Sequence, residues 1–206
     1  MNFVARFTIF TVAAVAAAAL GYQLAPGIVA TLAGDSGAGP LPGVSLAGGS
    51  PVDGSLPGGE RPDGTLPDSA TLDDTHLAGI ANLDPALFAA LREAAAAAPM
   101  QFFVTSGWRS PDYQRRLLAE AVMKYGSEQE AARWVATPET SPHVSGDAVD
   151  VGSWDAAEWL GSNGYAYGLC QIYDNEAWHF ELRPSAVSEG CPRKYFDPTY
   201  DPRMQG

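Results

Sequence analysis

The sequence predicts an α+β fold: a small, mostly antiparallel sheet with flanking helices. Three observations lead there. Residues 84–136 carry helix-start signals ahead of long helical runs, residues 147–151 (DAVDV) form a short apolar alternation, and residues 169–182 hold two β-rich runs around a tight turn. Helices come first and strands dominate the end, which is the pattern of α+β architecture.

Each element has its own local signal. Asp84-Pro85 supplies an N-cap and an N1 proline, and ALFAALREAAAAA continues the helix to about Ala98. QFFVT (101–105) is aromatic and β-branched, which suits a strand, and Ser106-Gly107 ends it. Ser110-Pro111 starts a second helix, DYQRRLLAEAVMKY, which stops at Gly126. Ser127-Glu128-Gln129-Glu130 fits a capping box and predicts a further helix over EQEAARWVA, 128–136. After the strand at 147–151, AAEWLGSNG reads as a helix with Asn163-Gly164 at its C-terminus. LCQIY and WHFEL are then strands joined by Asp174-Asn175-Glu176.

The 206-residue chain divides into three parts. Residues 1–33 begin with MNFVAR and continue as FTIFTVAAVAAAAL, a charge-free run after a basic start that predicts an export signal or, left uncleaved, a membrane anchor. Residues 34–75 are rich in Gly, Pro, Ser and Asp with no apolar period, so they are expected to form a flexible linker. The folded domain is expected at 76–206. A net charge of −12 and the absence of any Lys/Arg-rich run exclude nucleic acid as a partner. The chain is expected to act as a monomer outside the cytoplasm, secreted or membrane-anchored. In an exported chain, the isolated pair Cys170 and Cys191 is most simply a disulfide.

The polar residues of the strands suggest chemistry. Alternation sets Val149 and Val151 on one face and Ala148 and Asp150 on the other, and in WHFEL it separates Trp178, Phe180 and Leu182 from His179 and Glu181. If the two strands lie near each other, His143, Asp150 and His179 can converge. Two imidazoles and a carboxylate suit Zn²⁺ and leave a fourth position for water. Glu176, three residues ahead of His179, could overhang such a metal as a base, although taken alone it reads more simply as a solvated turn acid. Glu181 shares a face with His179 and could support it from behind, or could be an exposed strand residue. Gly146 fits the turn between the first two candidate ligands. His76 is expected in solvent, and the five tryptophans in the core or a pocket wall.

Three segments carry a family resemblance. S-P-H-V-S-G-D-A-V-D (141–150) resembles the S-x-H-x-x-G-x-A-x-D signature of the zinc D-alanyl-D-alanine carboxypeptidases of the VanY-like family. E-A-W-H (176–179) resembles its E-x-W-H signature, and TSGWRSPDYQ (105–114) its upstream S-G-[YW]-R-S segment. The segments fall in the family's order. The resemblance implies the hedgehog/D-Ala-D-Ala-peptidase-like zinc fold, one Zn²⁺ held by His143, Asp150 and His179, and Glu176 as general base and later acid. It further implies that Arg109 binds the substrate's terminal carboxylate or polarised carbonyl, and that Gln114 and Ser141 line the substrate pocket. A planar guanidinium suits the first of these tasks.

The implied activity is removal of terminal D-alanine from peptidoglycan stem peptides by metal-activated water. An L,D-carboxypeptidase, a D,D-dipeptidase or a peptidoglycan endopeptidase would share this site. A zinc-containing wall-binding module without turnover is the alternative from another class, and the presence of Glu176 argues against it.

Overall fold

The computed structural model describes residues 61–205. The export segment or anchor expected at 1–33 and the linker through residue 60 lie outside the described residues. In chain order the elements are α1 (Ala78–Ala81), α2 (Pro85–Ala97), β1 (Phe103–Ser106), α3 (Pro111–Tyr125), α4 (Glu128–Ala131), α5 (Pro142–Ser145), β2 (Ala148–Gly152), α6 (Trp154–Asn163), β3 (Leu169–Gln171), β4 (His179–Leu182) and α7 (Ala186–Glu189). Turns of 3-10 helix follow at Gly164–Tyr167, Pro198–Tyr200 and Pro202–Met204.

The caps read from the sequence form as expected. Asp84 accepts the amides of Ala86 and Leu87 at the start of α2, and Ser110 accepts that of Tyr113 at the start of α3. Gly126 ends α3 in the left-handed region. The four strands form one sheet in the order β1-β2-β4-β3, antiparallel throughout. One face packs Val104, Val149, Val151, Leu169 and Phe180 against Leu87, Leu91, Ala94, Ala156, Ala157 and Leu160 of α2 and α6. Full burial of each large aliphatic or aromatic side chain contributes about 1.5–3 kcal/mol, so this face holds the sheet in place. The opposite face carries Asp150, His179 and Glu181. Beside them a smaller cluster of Cys170, Ile172, Tyr173 and Ala186 packs against Tyr195 and Met204.

Two boundaries and one side chain differ from the sequence reading. The helix expected at 128–136 stops at Ala131, and the chain leaves it through a tighter turn in which the Arg133 amide donates to Glu130 O and the Trp134 amide to Ala131 O. Residues 61–75, expected as linker, pack on the domain instead. Ala70 and Leu72 are buried, Leu66 rests on the core, and Ala70 O accepts the Val104 amide. Trp154 is 71% exposed rather than in the core, and it borders a small surface pocket together with Trp178.

Cys170 and Cys191 are bonded, with Cα atoms 5.6 Å apart and a sequence separation of 21. The bond ties the segment after α7 to β3, on the polar side of the sheet. For a loop of this length the chain-entropy model gives about 3 kcal/mol. Replacing both cysteines with alanine is therefore expected to lower the urea-unfolding free energy of the full chain by about that amount.

Candidate active site

The register of β2 and β4 builds the site. Asp150 lies directly opposite His179, and Ala148 opposite Glu181, so the polar residues of both strands share one face. His143 arrives from α5, a single turn started by Pro142 and closed by Gly146 at φ +85°. A Cβ on Gly146 would lie 2.5 Å from Asn82 O, so the turn needs glycine on both counts. His143 O accepts the Arg109 amide, which locks this turn to the start of α3.

Three ligand atoms converge. His143 Nε2 and His179 Nδ1 are 3.3 Å apart, and Asp150 Oδ1 lies 3.4 Å from the first and 3.2 Å from the second. Zinc bonds of 2.0–2.1 Å at tetrahedral angles separate ligand atoms by about 3.3 Å, so the three could hold one such ion. The imidazole orientations agree with this. His143 Nδ1–H donates to Gly107 O at 2.8 Å, which turns the Nε2 lone pair inward. His179 Nε2–H donates to Glu181 Oε1 at 3.3 Å, which does the same for Nδ1.

The surrounding charges set the protonation of these groups. Burial opposes the charge on Asp150, but His143, His179 and Arg109 hold it well below the usual carboxylate value. Burial and the Arg109 charge push His143 down. Burial also opposes charge on His179, yet hydrogen bonds to Asp150 and Glu181 raise it to about 9. A cation bound there must displace a proton, so affinity for it falls as the pH drops.

Arg109 is positioned by a bulge. The β1–β2 register shifts between Val104 and Ser106, which places Ser106 opposite Asp150. Ser106 Oγ accepts Arg109 Nε at 2.7 Å, Gln114 Oε1 accepts Nη1 at 3.2 Å, and Asp150 Oδ2 accepts Nη2 at 3.0 Å. Each terminal nitrogen keeps one further N–H. Gln114 is buried, and its amide donates to Ala136 O at 2.8 Å; it therefore stands behind Arg109 and braces it.

Glu176 sits in a turn pinned by the Asn175 bond to Arg133 O and by a 2.7 Å bond from Gln171 to Ala177 O. It is buried rather than solvated. Its Oε2 lies 3.9 Å from His179 Nδ1, and its Oε1 has no hydrogen-bond partner. Burial raises its pKa to about 7. Such a group can take and return a proton near neutral pH.

A cleft of about 470 Å³ opens over this group, walled by Arg109, Ser141, Glu176, Trp178, Trp134 and Tyr125. A larger cavity of about 710 Å³ lies on the other side of α3 and contains none of these groups. His143, Asp150, His179, Glu176, Arg109, Gln114 and Ser141 thus all meet in or behind one cleft. His76 is exposed, away from it. Sequence reasoning left Glu181 between two readings; it is buried. It missed Arg203, Asp201 and Tyr173, which stand behind His179: Arg203 binds both Glu181 oxygens, and Tyr173 donates to Asp201. The face shared by His179 and Glu181 was the available signal; nothing local pointed to a turn two dozen residues away.

Elemental analysis of the full chain is expected to find about one zinc equivalent. His143→Ala and His179→Ala should each lose most of it, as read by the same measurement. The raised pKa of Glu176 has a further consequence. Its neutral form is favoured in the folded chain, so its contribution to stability is full below the ordinary value of 4.5 and lost as the pH rises through about 7. In chelator-treated protein, urea unfolding should show wild type losing ground to Glu176→Gln across that window.

A family model for VanY, D-alanyl-D-alanine carboxypeptidase, matches residues 83–185, half of the chain. A D-alanyl-D-alanine carboxypeptidase of Enterococcus faecalis (strain ATCC 700802 / V583) is 30% identical over 115 residues, covering 44% of this chain and 43% of that protein. The chain thus spans less than half the length of this curated relative. Among solved structures, a mutant of the vancomycin resistance D,D-pentapeptidase VanY in complex with Zn(II) is similar at 27% identity and a TM-score of 0.45, over 48% of this chain and 72% of that one. VanYB in complex with D-alanine-D-alanine is similar at 26% identity and a TM-score of 0.47, over 52% and 74%. With the family match enclosing all three segments that carry the resemblance, the chain belongs to the VanY family of D-alanyl-D-alanine carboxypeptidases.

Proposed function

We propose that this protein is a zinc-dependent carboxypeptidase that removes the terminal D-alanine from peptidoglycan stem peptides outside the membrane. The observation that carries this reading is the meeting of three inward-facing ligand atoms, spaced 3.2–3.4 Å, with the buried Glu176 carboxylate, whose Oε2 lies 3.9 Å from His179 Nδ1, in one cleft. The disulfide suits an oxidising, exported location. Residues 1–33 would direct export and, if uncleaved, hold the domain at the membrane; residues 34–60 would give it reach toward the wall.

His143, Asp150 and His179 would hold a single Zn²⁺. Bound there, Zn²⁺ supplies Lewis acidity, acidifying the attacking water and polarising the scissile carbonyl. The Glu176 carboxylate, whose Oε2 is the oxygen nearer His179, takes the proton from that water as it attacks. The same carboxyl then returns the proton to the departing amine, so no covalent intermediate with the chain is needed. The free N–H groups of Arg109 bind the peptide's terminal carboxylate or the oxyanion, while its bond to Asp150 Oδ2 fixes that carboxylate. Gln114 acts through Arg109, and Ser141 lines the cleft beside the peptide.

Incubation with defined stem peptides, followed by mass analysis, is expected to release single D-alanine residues from a D-alanyl-D-alanine terminus. Release of a dipeptide, cleavage only of an L,D bond, or internal cleavage would redirect the specificity, and no cleavage would overturn the enzyme reading. Glu176→Ala should retain zinc and the fold while turnover falls about 10²–10⁴-fold. Arg109→Ala should lower activity on all peptides through Asp150, and should lower it further on a free terminal carboxylate than on an amidated one.

A further inference from the structure

Glu181 is the least exposed charged group beside the candidate ligands, at 1%. A buried carboxylate needs partners, since an uncompensated charge there costs several kcal/mol. Arg183 Nη2 contributes one bond, to Oε2 at 2.6 Å. Arg203 contributes a fork: Nη1 to Oε2 at 2.7 Å and Nη2 to Oε1 at 3.1 Å. The distinction matters because Oε1 is the oxygen that accepts His179 Nε2–H. Arg183 balances the charge from the far side, whereas Arg203 grips the atom that orients the imidazole.

Arg203 is itself held. Asp201, fully buried, binds its Nε and accepts the Tyr173 hydroxyl at 2.9 Å. The Tyr173 ring lies over His179, with centroids 5.3 Å apart. Both restraints on His179, the carboxylate along its edge and the ring over its face, therefore converge on the turn at Pro202–Met204 and its cap Asp201. The segment leading to that turn is pinned at Cys191 by the disulfide and at Asp197 by Arg133.

We propose that Arg203 is a positioning residue of the metal centre: acting through Glu181 Oε1, it fixes the His179 imidazole so that Nδ1 points at the ion. The inference rests on the metal reading above and adds to it a dependence of metal affinity on a residue outside the three family segments. Partners of ligand side chains change metal affinity by about 10–100-fold when removed, and that is the size of effect expected.

The test is chelator competition for zinc on the full chain, with circular dichroism confirming the fold. Arg203→Gln and Glu181→Gln should weaken zinc binding about 10–100-fold. Arg203→Lys, which keeps the charge but not the fork, should fall between them and wild type. Arg116→Gln, which breaks a surface pair with Asp63 and bonds to none of the groups around His179, should bind as wild type does. Turnover of Arg203→Gln should recover when zinc is raised to saturation, which a purely structural defect would not allow. Wild-type zinc affinity in folded Arg203→Gln, or in Arg203→Lys if the glutamine variant does not fold, would overturn the inference while leaving the metal reading intact. No zinc binding by wild type would overturn both.

Discussion

The pairing of Asp150 with His179 across β2 and β4 is the constraint on which the rest of the structure depends. Side chains alternate faces along a strand, so a slip of one residue would turn Asp150 and His179 toward the core and Val149, Val151 and Phe180 toward the cleft. The apolar face thereby enforces the polar one. The burial of Val149 and Phe180 against α2 and α6 is also what holds a carboxylate and an imidazole within 3.2 Å of each other.

Charge is organised around that pair in two directions. On the β1 side, a bulge brings Ser106 beside Arg109, and Arg109 compensates Asp150. On the β3 side, Arg183 and Arg203 compensate Glu181, which in turn orients His179. Glu176 is bonded to neither arginine, and one of its oxygens is unpartnered. Burial is the largest influence on its elevated pKa, and the charges of His179 and Arg109 offset it only in part. Glu176 and His179 thus sit 3.9 Å apart in opposite surroundings, the first with an oxygen left without a partner and the second bonded on both ring nitrogens.

Much of this was legible before any coordinates. Caps at Asp84 and Ser110 marked two helices, and the alternation in DAVDV and WHFEL assigned each side chain to its face. The adjacency of those strands was not legible, because period-2 patterns specify faces and not partners. The end of α4 at Ala131 was hidden as well: the capping box marks where the helix starts, while the tighter turn through Arg133 and Trp134 carries no such local signal. Residues 61–75 lack any apolar period, so their packing through Leu66, Ala70 and Leu72 left no mark in the pattern. Arg203 lies in a short 3-10 turn whose importance comes only from what it touches.

The bond from the Val104 amide to Ala70 O also bears on the outer edge of the sheet. β1 is an edge strand, and an edge offers its unpaired backbone groups to any passing strand. Ala70 occupies that position on Val104, and the irregular segment carrying it cannot itself extend the sheet. The stretch that composition assigns to a tether therefore ends by taking up an amide of the β1 edge that would otherwise stand open to a passing strand.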